Sequence, residues 1–166
     1  MDNGDISATI LASLALLVSI FTLYLTFLHK RAKLIGCLAA IDFPAPSYSP
    51  FCTFDFALSN TGTLELLLRE VALDVSGPYT GLLPETNPED MPIVIGPGQV
   101  KLIKVQIPNL FIRNLAQRGG SIEFDFHIFS SRGNLYLARK LVAPLDESLE
   151  LPKSTWSPFS LGKVET

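Results

Sequence analysis

The hydrophobic rhythm of the chain changes once, near residue 33. Residues 6–28 form an apolar run of 23 positions without a charged side chain. At about 1.5 Å of rise per residue such a helix spans roughly 35 Å, enough to cross a hydrocarbon core of about 30 Å with some tilt. After Lys33 the period becomes two. Phe54, Phe56 and Leu58 alternate with Asp55, Ala57 and Ser59, and Val71, Leu73 and Val75 alternate with Ala72 and Asp74. Each pattern predicts a strand with one face buried. Asn60-Thr61-Gly62-Thr63 and Gly77-Pro78 stop these runs with residues suited to turns. Residues 93–95 lead through Gly96-Pro97-Gly98-Gln99 into a further β run over 100–107, which Pro108 ends.

The clearest hairpin comes next. Ile122, Phe124, Phe126 and Ile128 alternate with Glu123, Asp125 and His127, Ser131-Arg132-Gly133-Asn134 supplies the turn, and residues 135–142 return. One stretch, 109–118, reads as helix: Asn109 is placed to cap it, Leu110, Ile112 and Leu115 offer an apolar stripe, and Gly119-Gly120 stops it. The organisation expected from these patterns is a short N-terminal segment (1–5) and a transmembrane helix (6–28). A basic juxtamembrane linker with room for a first strand (29–40), a β-sandwich (41–143) and a C-terminal tail (144–166) follow.

A strand ending in Leu58-Ser59-Asn60-Thr61-Gly62, the form Val71-x-Leu73-x-Val75, and Ile95-Gly96-Pro97-Gly98-Gln99 before another strand together carry a resemblance. The chain resembles the immunoglobulin-like sandwich domains widespread in prokaryotic proteins, including small single-pass membrane proteins of unknown function. The resemblance covers roughly residues 41–142 and implies an all-β, antiparallel, immunoglobulin-like sandwich behind one N-terminal transmembrane helix. It implies no particular activity, because such sandwiches serve as adhesive, spacer and interaction modules alike. Unlike antibody-type domains, the chain has no Cys and Trp at the usual core spacing; its single Trp, Trp156, falls in the tail.

Composition sharpens this division. The chain is 48% hydrophobic and 17% charged, with a mean hydropathy of +0.33, which excludes disorder as its overall state. Asp2 and Asp5 precede the apolar run, whereas Lys30, Arg31 and Lys33 follow it. The bias of bases toward the cytoplasmic side places the N-terminus outside and residues 30–166 in the cytoplasm, with the three bases against lipid headgroups. A cleaved signal peptide would need a basic start and a shorter apolar core. A lipidated cysteine in Leu34-Ile35-Gly36-Cys37 would have to follow the apolar run directly, but the charged stretch 29–33 intervenes. Within the run Ala8, Ala12, Ala15, Ser19, Thr22 and Thr26 recur at heptad-like spacing. That seam of small residues would let a second helix approach, giving a homo- or hetero-oligomer.

Candidate chemistry is sparse. Cys37 and Cys52 could meet across a first hairpin, but in a reducing cytoplasm the expectation is two buried thiols. Two Cys and two His without ligand spacing predict no metal site, and no cofactor is expected. His127 lies beside Asp125 with Ser130 and Ser131 nearby, yet nothing resembles a nucleophile elbow, so it reads as an ordinary strand histidine. His29 and Tyr24 suit the headgroup region. Residues 34–166 carry ten basic and 14 acidic residues, which argues against a nucleic-acid partner. Glu85, Glu89 and Asp90 stand between Pro84, Pro88 and Pro92 in a stiff acidic loop, the surface best suited to a protein partner. The expected function is a non-enzymatic, membrane-anchored binding or scaffold module acting through protein contacts. The alternatives are an extracytoplasmic adhesion or envelope-assembly sandwich of reverse topology, and a membrane-tethered hydrolase using His127.

Overall fold

The computed structural model describes residues 3–28, 30–77, 83–86, 88, 91–142 and 153–163. The chain forms two compact units, Met1–Arg31 and Ala32–Thr166. The first is helix α1, Asn3–Leu23, continued by a π-helical turn, Tyr24–Leu28. Its stretch Ser7–Thr26 is long and apolar enough to cross a membrane, and none of it is buried. The hydroxyls of Ser13, Ser19, Thr22 and Thr26 each donate to the carbonyl four residues back, at 2.7–2.9 Å. A side chain that satisfies itself in this way carries no unpaired donor into hydrocarbon.

The second unit is all-β and antiparallel. Its strands are β1 Leu34–Asp42, β2 Phe51–Asn60, β3 Leu66–Ser76, β4 Ile93–Ile95, β5 Val100–Pro108, β6 Ser121–Ser130, β7 Leu135–Val142 and β8 Phe159–Lys163. They make one eight-stranded sheet in the order β4-β3-β6-β7-β8-β1-β2-β5. Its two outermost strands, β4 and β5, are consecutive in sequence and joined by the turn 96–99, so the sheet is nearly closed on itself. The turn is tight: the Gln99 N–H donates to the Gly96 carbonyl at 3.1 Å, and Gly98 sits at φ +73°, a conformation that favours glycine.

Alternation builds the core. On β2 the side chains of Cys52, Phe54, Phe56 and Leu58 are buried, as are those of Ile122, Phe124, Phe126 and Ile128 on β6. The two rows meet through tilted and edge-on rings, Phe54 to Phe124 at 5.1 Å, Phe56 to Phe124 at 4.9 Å and Phe56 to Phe126 at 5.0 Å between centroids. These separations fall in the range where aromatic quadrupoles attract. Strand β3 extends five residues upstream of Val71, because a bulge between Leu68 and Glu70 restores the phase and turns Leu66, Leu68, Val71 and Leu73 to the same buried side.

Three details correct or sharpen the sequence reading. Helix α2 runs Asn109–Ala116, and Pro108 rather than Asn109 occupies its N-cap position, with no side-chain cap bond. Buried Asn109 instead donates to the Pro44 carbonyl at 2.6 Å and accepts from Arg113 Nε at 2.9 Å, tying α2 to the β1–β2 connection. The compact unit begins at Ala32, ahead of residue 41, and the tail contributes β8, which fills the slot between β1 and β7. Cys37 and Cys52 are free thiols, but Cys37, opposite Ala57, is half-buried where a buried thiol was expected, whereas Cys52 is fully buried in the core.

Candidate functional site

The residues singled out by sequence fall in three places. Ala8, Ala12, Ala15, Ser19 and Thr22 lie on α1, and Thr26 lies in the π-helical turn, whose wider winding rotates it relative to the others. Ser19, Thr22 and Thr26 have committed their hydroxyl protons within the helix, so a partner helix would find close backbone approach and hydroxyl acceptors rather than free donors. Lys30, Arg31 and Lys33 are exposed. The Lys33 carbonyl accepts the N–H groups of Thr61 and Gly62 at 2.9 and 3.0 Å, fixing the start of β1 to the β2–β3 connection.

The acidic loop is described in part. Glu85 is exposed, whereas Glu89 and Asp90 lie outside the described residues. Thr86 is buried and donates to the Val71 carbonyl at 2.6 Å, so residues 83–86 are pinned along β3. A shallow cleft of about 240 Å³ lies between this stretch and residues 70–73.

His127 projects from β6 on the face away from the core, opposite Glu70 of β3, with Nδ1 3.5 Å from Oε1. Beside it Arg139 Nε approaches Asp125 Oδ1 at 3.2 Å. These are cross-strand pairs on a half-exposed face. Ser130 is buried with an unpartnered hydroxyl, and the strand's alternation puts it on the opposite side from His127. Among the described residues no group of three or more His, Cys, Asp or Glu side chains could hold a metal.

Among the buried polar residues that the sequence reading did not place inside, two tie separate segments together. Asn60 is 0% exposed. Its Nδ2 donates to the carbonyls of Leu64 and Ile95, both at 2.8 Å, and its Oδ1 accepts the Gly62 N–H at 3.0 Å. Its backbone pairs with Gln99 and Gly98. One side chain thus ties the end of β2, the start of β3 and the β4–β5 turn, where the sheet nearly closes. The Asn-Thr-Gly turn signal marked this position without revealing that the amide faces inward.

Lys140, 4% exposed, is the other. Its ammonium donates to the Ser157 carbonyl at 2.7 Å and lies 3.4 Å from the Ser154 carbonyl and the Ser157 hydroxyl. Ser154 lies within, and Ser157 just after, the 3₁₀ turn Lys153–Trp156 that leads into β8. Burial lowers the Lys140 pKa from its ordinary value, against an opposing pull from Cys37. A cleft of about 270 Å³ opens here between β7 and the 154–159 stretch. The ammonium is spent on holding the C-terminal segment in place. Burial also pushes the Cys52 thiol up to about 11, the nearby Arg113 opposing and Asp42 reinforcing the shift, so Cys52 is a poor nucleophile.

No protein-family model matches the chain, and no curated protein matches it.

Proposed function

We propose that the protein is a single-pass membrane-anchored binding or scaffold module without catalytic activity, its β unit held at the cytoplasmic face. The observation that carries this reading is the pairing of an apolar helix with nothing buried on any side and a β unit that is compact by itself. Lys30, Arg31 and Lys33 after the helix, against Asp2 and Asp5 before it, support the orientation. His127 engaged by Glu70, with Ser130 on the other face, supports a non-enzymatic role over a hydrolase. The facing phenylalanine rows of β2 and β6 support an immunoglobulin-like sandwich, here bridged along one side by β8. Partner contacts are assigned to the small-residue face of α1 and to the acidic loop around Glu85.

The test is crosslinking in native membranes. The chain stays in the carbonate-resistant fraction and yields discrete adducts that weaken when Ala15 and Ser19 are changed to leucine or when Glu85, Glu89 and Asp90 are neutralised. Adducts insensitive to both sets of changes contradict the assignment, and a function lost on His127→Ala alone favours the hydrolase.

A further inference from the structure

We propose that the end of the β unit where β1 begins docks on anionic lipid headgroups. The proposal rests on the membrane-anchor reading and adds the surface and the lipid class. Strand register gathers at this end the start of β1, the 60–65 connection, the 96–99 turn, the 131–134 turn and the finish of β8. The bases Lys33, Lys101 and Arg132 are exposed here and Lys163 closes β8, against the acid Glu65. Lys30 and Arg31 come immediately before. The opposite end is a mixed rim, with Asp42, Asp74 and Glu123 alongside Arg113 and Arg118.

Across β5, β2, β1 and β8 the outer face adjoining the basic end carries no charge over two rows, the Arg139–Asp125 pair lying beyond them on β7 and β6. Val100, Ser59, Ile35 and Ser160 stand side by side in one, and Leu102, Ala57 and Cys37 in the next. Charge returns only in the third row, as Lys104 opposite Asp55. Leu102 is 73% exposed and Val100 61%. Exposed aliphatic side chains edged by bases suit an interface where ammonium and guanidinium groups meet phosphates and short apolar side chains enter the headgroup boundary.

Covalent geometry selects a lipid surface over a protein partner. Six chain steps join Leu28 to Leu34, a connection no longer than about 21 Å when fully extended. That tether holds the basic end at a high effective concentration of headgroups.

The test uses the full chain in bilayers containing brominated lipid, which quenches a nearby indole. One protein keeps its native Trp156; the other carries Leu102→Trp with Trp156→Phe. In bilayers containing phosphatidylglycerol, the indole at position 102 is quenched and Trp156 is not. In pure phosphatidylcholine, or in high salt, quenching at position 102 falls severalfold. Adding Lys101→Glu and Arg132→Glu lowers the docking equilibrium constant, read as the ratio of docked to undocked protein, by about fivefold or more per base. Equal quenching in neutral and anionic bilayers, or no quenching at position 102 in either, overturns the docking proposal while leaving the anchor intact. Release of the chain from the bilayer by carbonate overturns the anchor reading itself.

Discussion

Removing the amide of Asn60 is the sharpest perturbation of the nearly closed sheet. Asn60→Ala deletes three hydrogen bonds of 2.8–3.0 Å made by a fully buried side chain. It strands the carbonyls of Leu64 and Ile95 at the junction of β2, β3 and the β4–β5 turn, while the Gly62 N–H keeps the Lys33 carbonyl as its acceptor. A net intramolecular hydrogen bond contributes about 1 kcal/mol, and a buried group left unpaired costs about 1–3 kcal/mol. The expected loss is therefore about 3–4 kcal/mol. With a urea dependence of about 1–3 kcal/mol per molar, the unfolding midpoint falls by roughly 1–4 M. Asn60→Asp keeps the shape and the acceptor but turns an oxygen toward two carbonyl oxygens, so it destabilises at least as much at neutral pH and recovers partly when acid protonates it. The assay is urea unfolding of the full chain in detergent, followed by Trp156 fluorescence and far-UV dichroism. A loss below about 1 kcal/mol for Asn60→Ala, or an Asn60→Asp variant as stable as wild type, refutes the view that this amide ties the sheet ends together.

Other outcomes follow from the same geometry. A Cβ at Gly36 would fall inside the Phe159 ring that lies across it. Gly36→Ala therefore costs about 1–3 kcal/mol, and with Phe159→Ala the two losses sum to more than the double variant shows; strict additivity would contradict the contact. Lys140→Met frees the carbonyls of Ser154 and Ser157, so hydrogen exchange speeds up in residues 154–163 and not in β2 or β6. Cys37 reacts with a thiol reagent in the native state while Cys52 reacts only after unfolding; simultaneous reaction would contradict the burial of Cys52. Because burial holds the Cys52 proton up to about 11 against an ordinary 9.0, its contribution is intact below pH 9 and is lost as pH rises toward 11. Cys52→Ala flattens that part of the stability profile.

The strands that were legible in sequence are those with contrasting faces. Strands β2 and β6 put phenylalanines inward and Asp55, Glu123 or Asp125 outward, so the period of two is visible. Strand β1, Leu-Ile-Gly-Cys-Leu-Ala-Ala, is apolar on both faces, and its exposed side carries Ile35 and half-buried Cys37, so no alternation marked it. Strand β8 depends on a contact distant in sequence, the Phe159 ring lying over Gly36, which no local pattern encodes. The bulge in β3 hid its first half by shifting the phase of Leu66 and Leu68 against Val71 and Leu73. The candidate contact residues were legible as types, charges beside an apolar run and acids between prolines. The inward turns of Asn60 and Lys140 were not, because both types are ordinarily exposed and their partners are backbone carbonyls, which leave no trace in side-chain identity.

The central claim is that α1 spans a bilayer with the β unit on the side of Lys30, Arg31 and Lys33. Reporter fusions at the two ends of the full chain, one active only in the cytoplasm and one only outside it, measure this directly. The account predicts cytoplasmic activity for the reporter at the C-terminus and external activity for the reporter at the N-terminus. The reverse pattern, or both ends on one side, would contradict it.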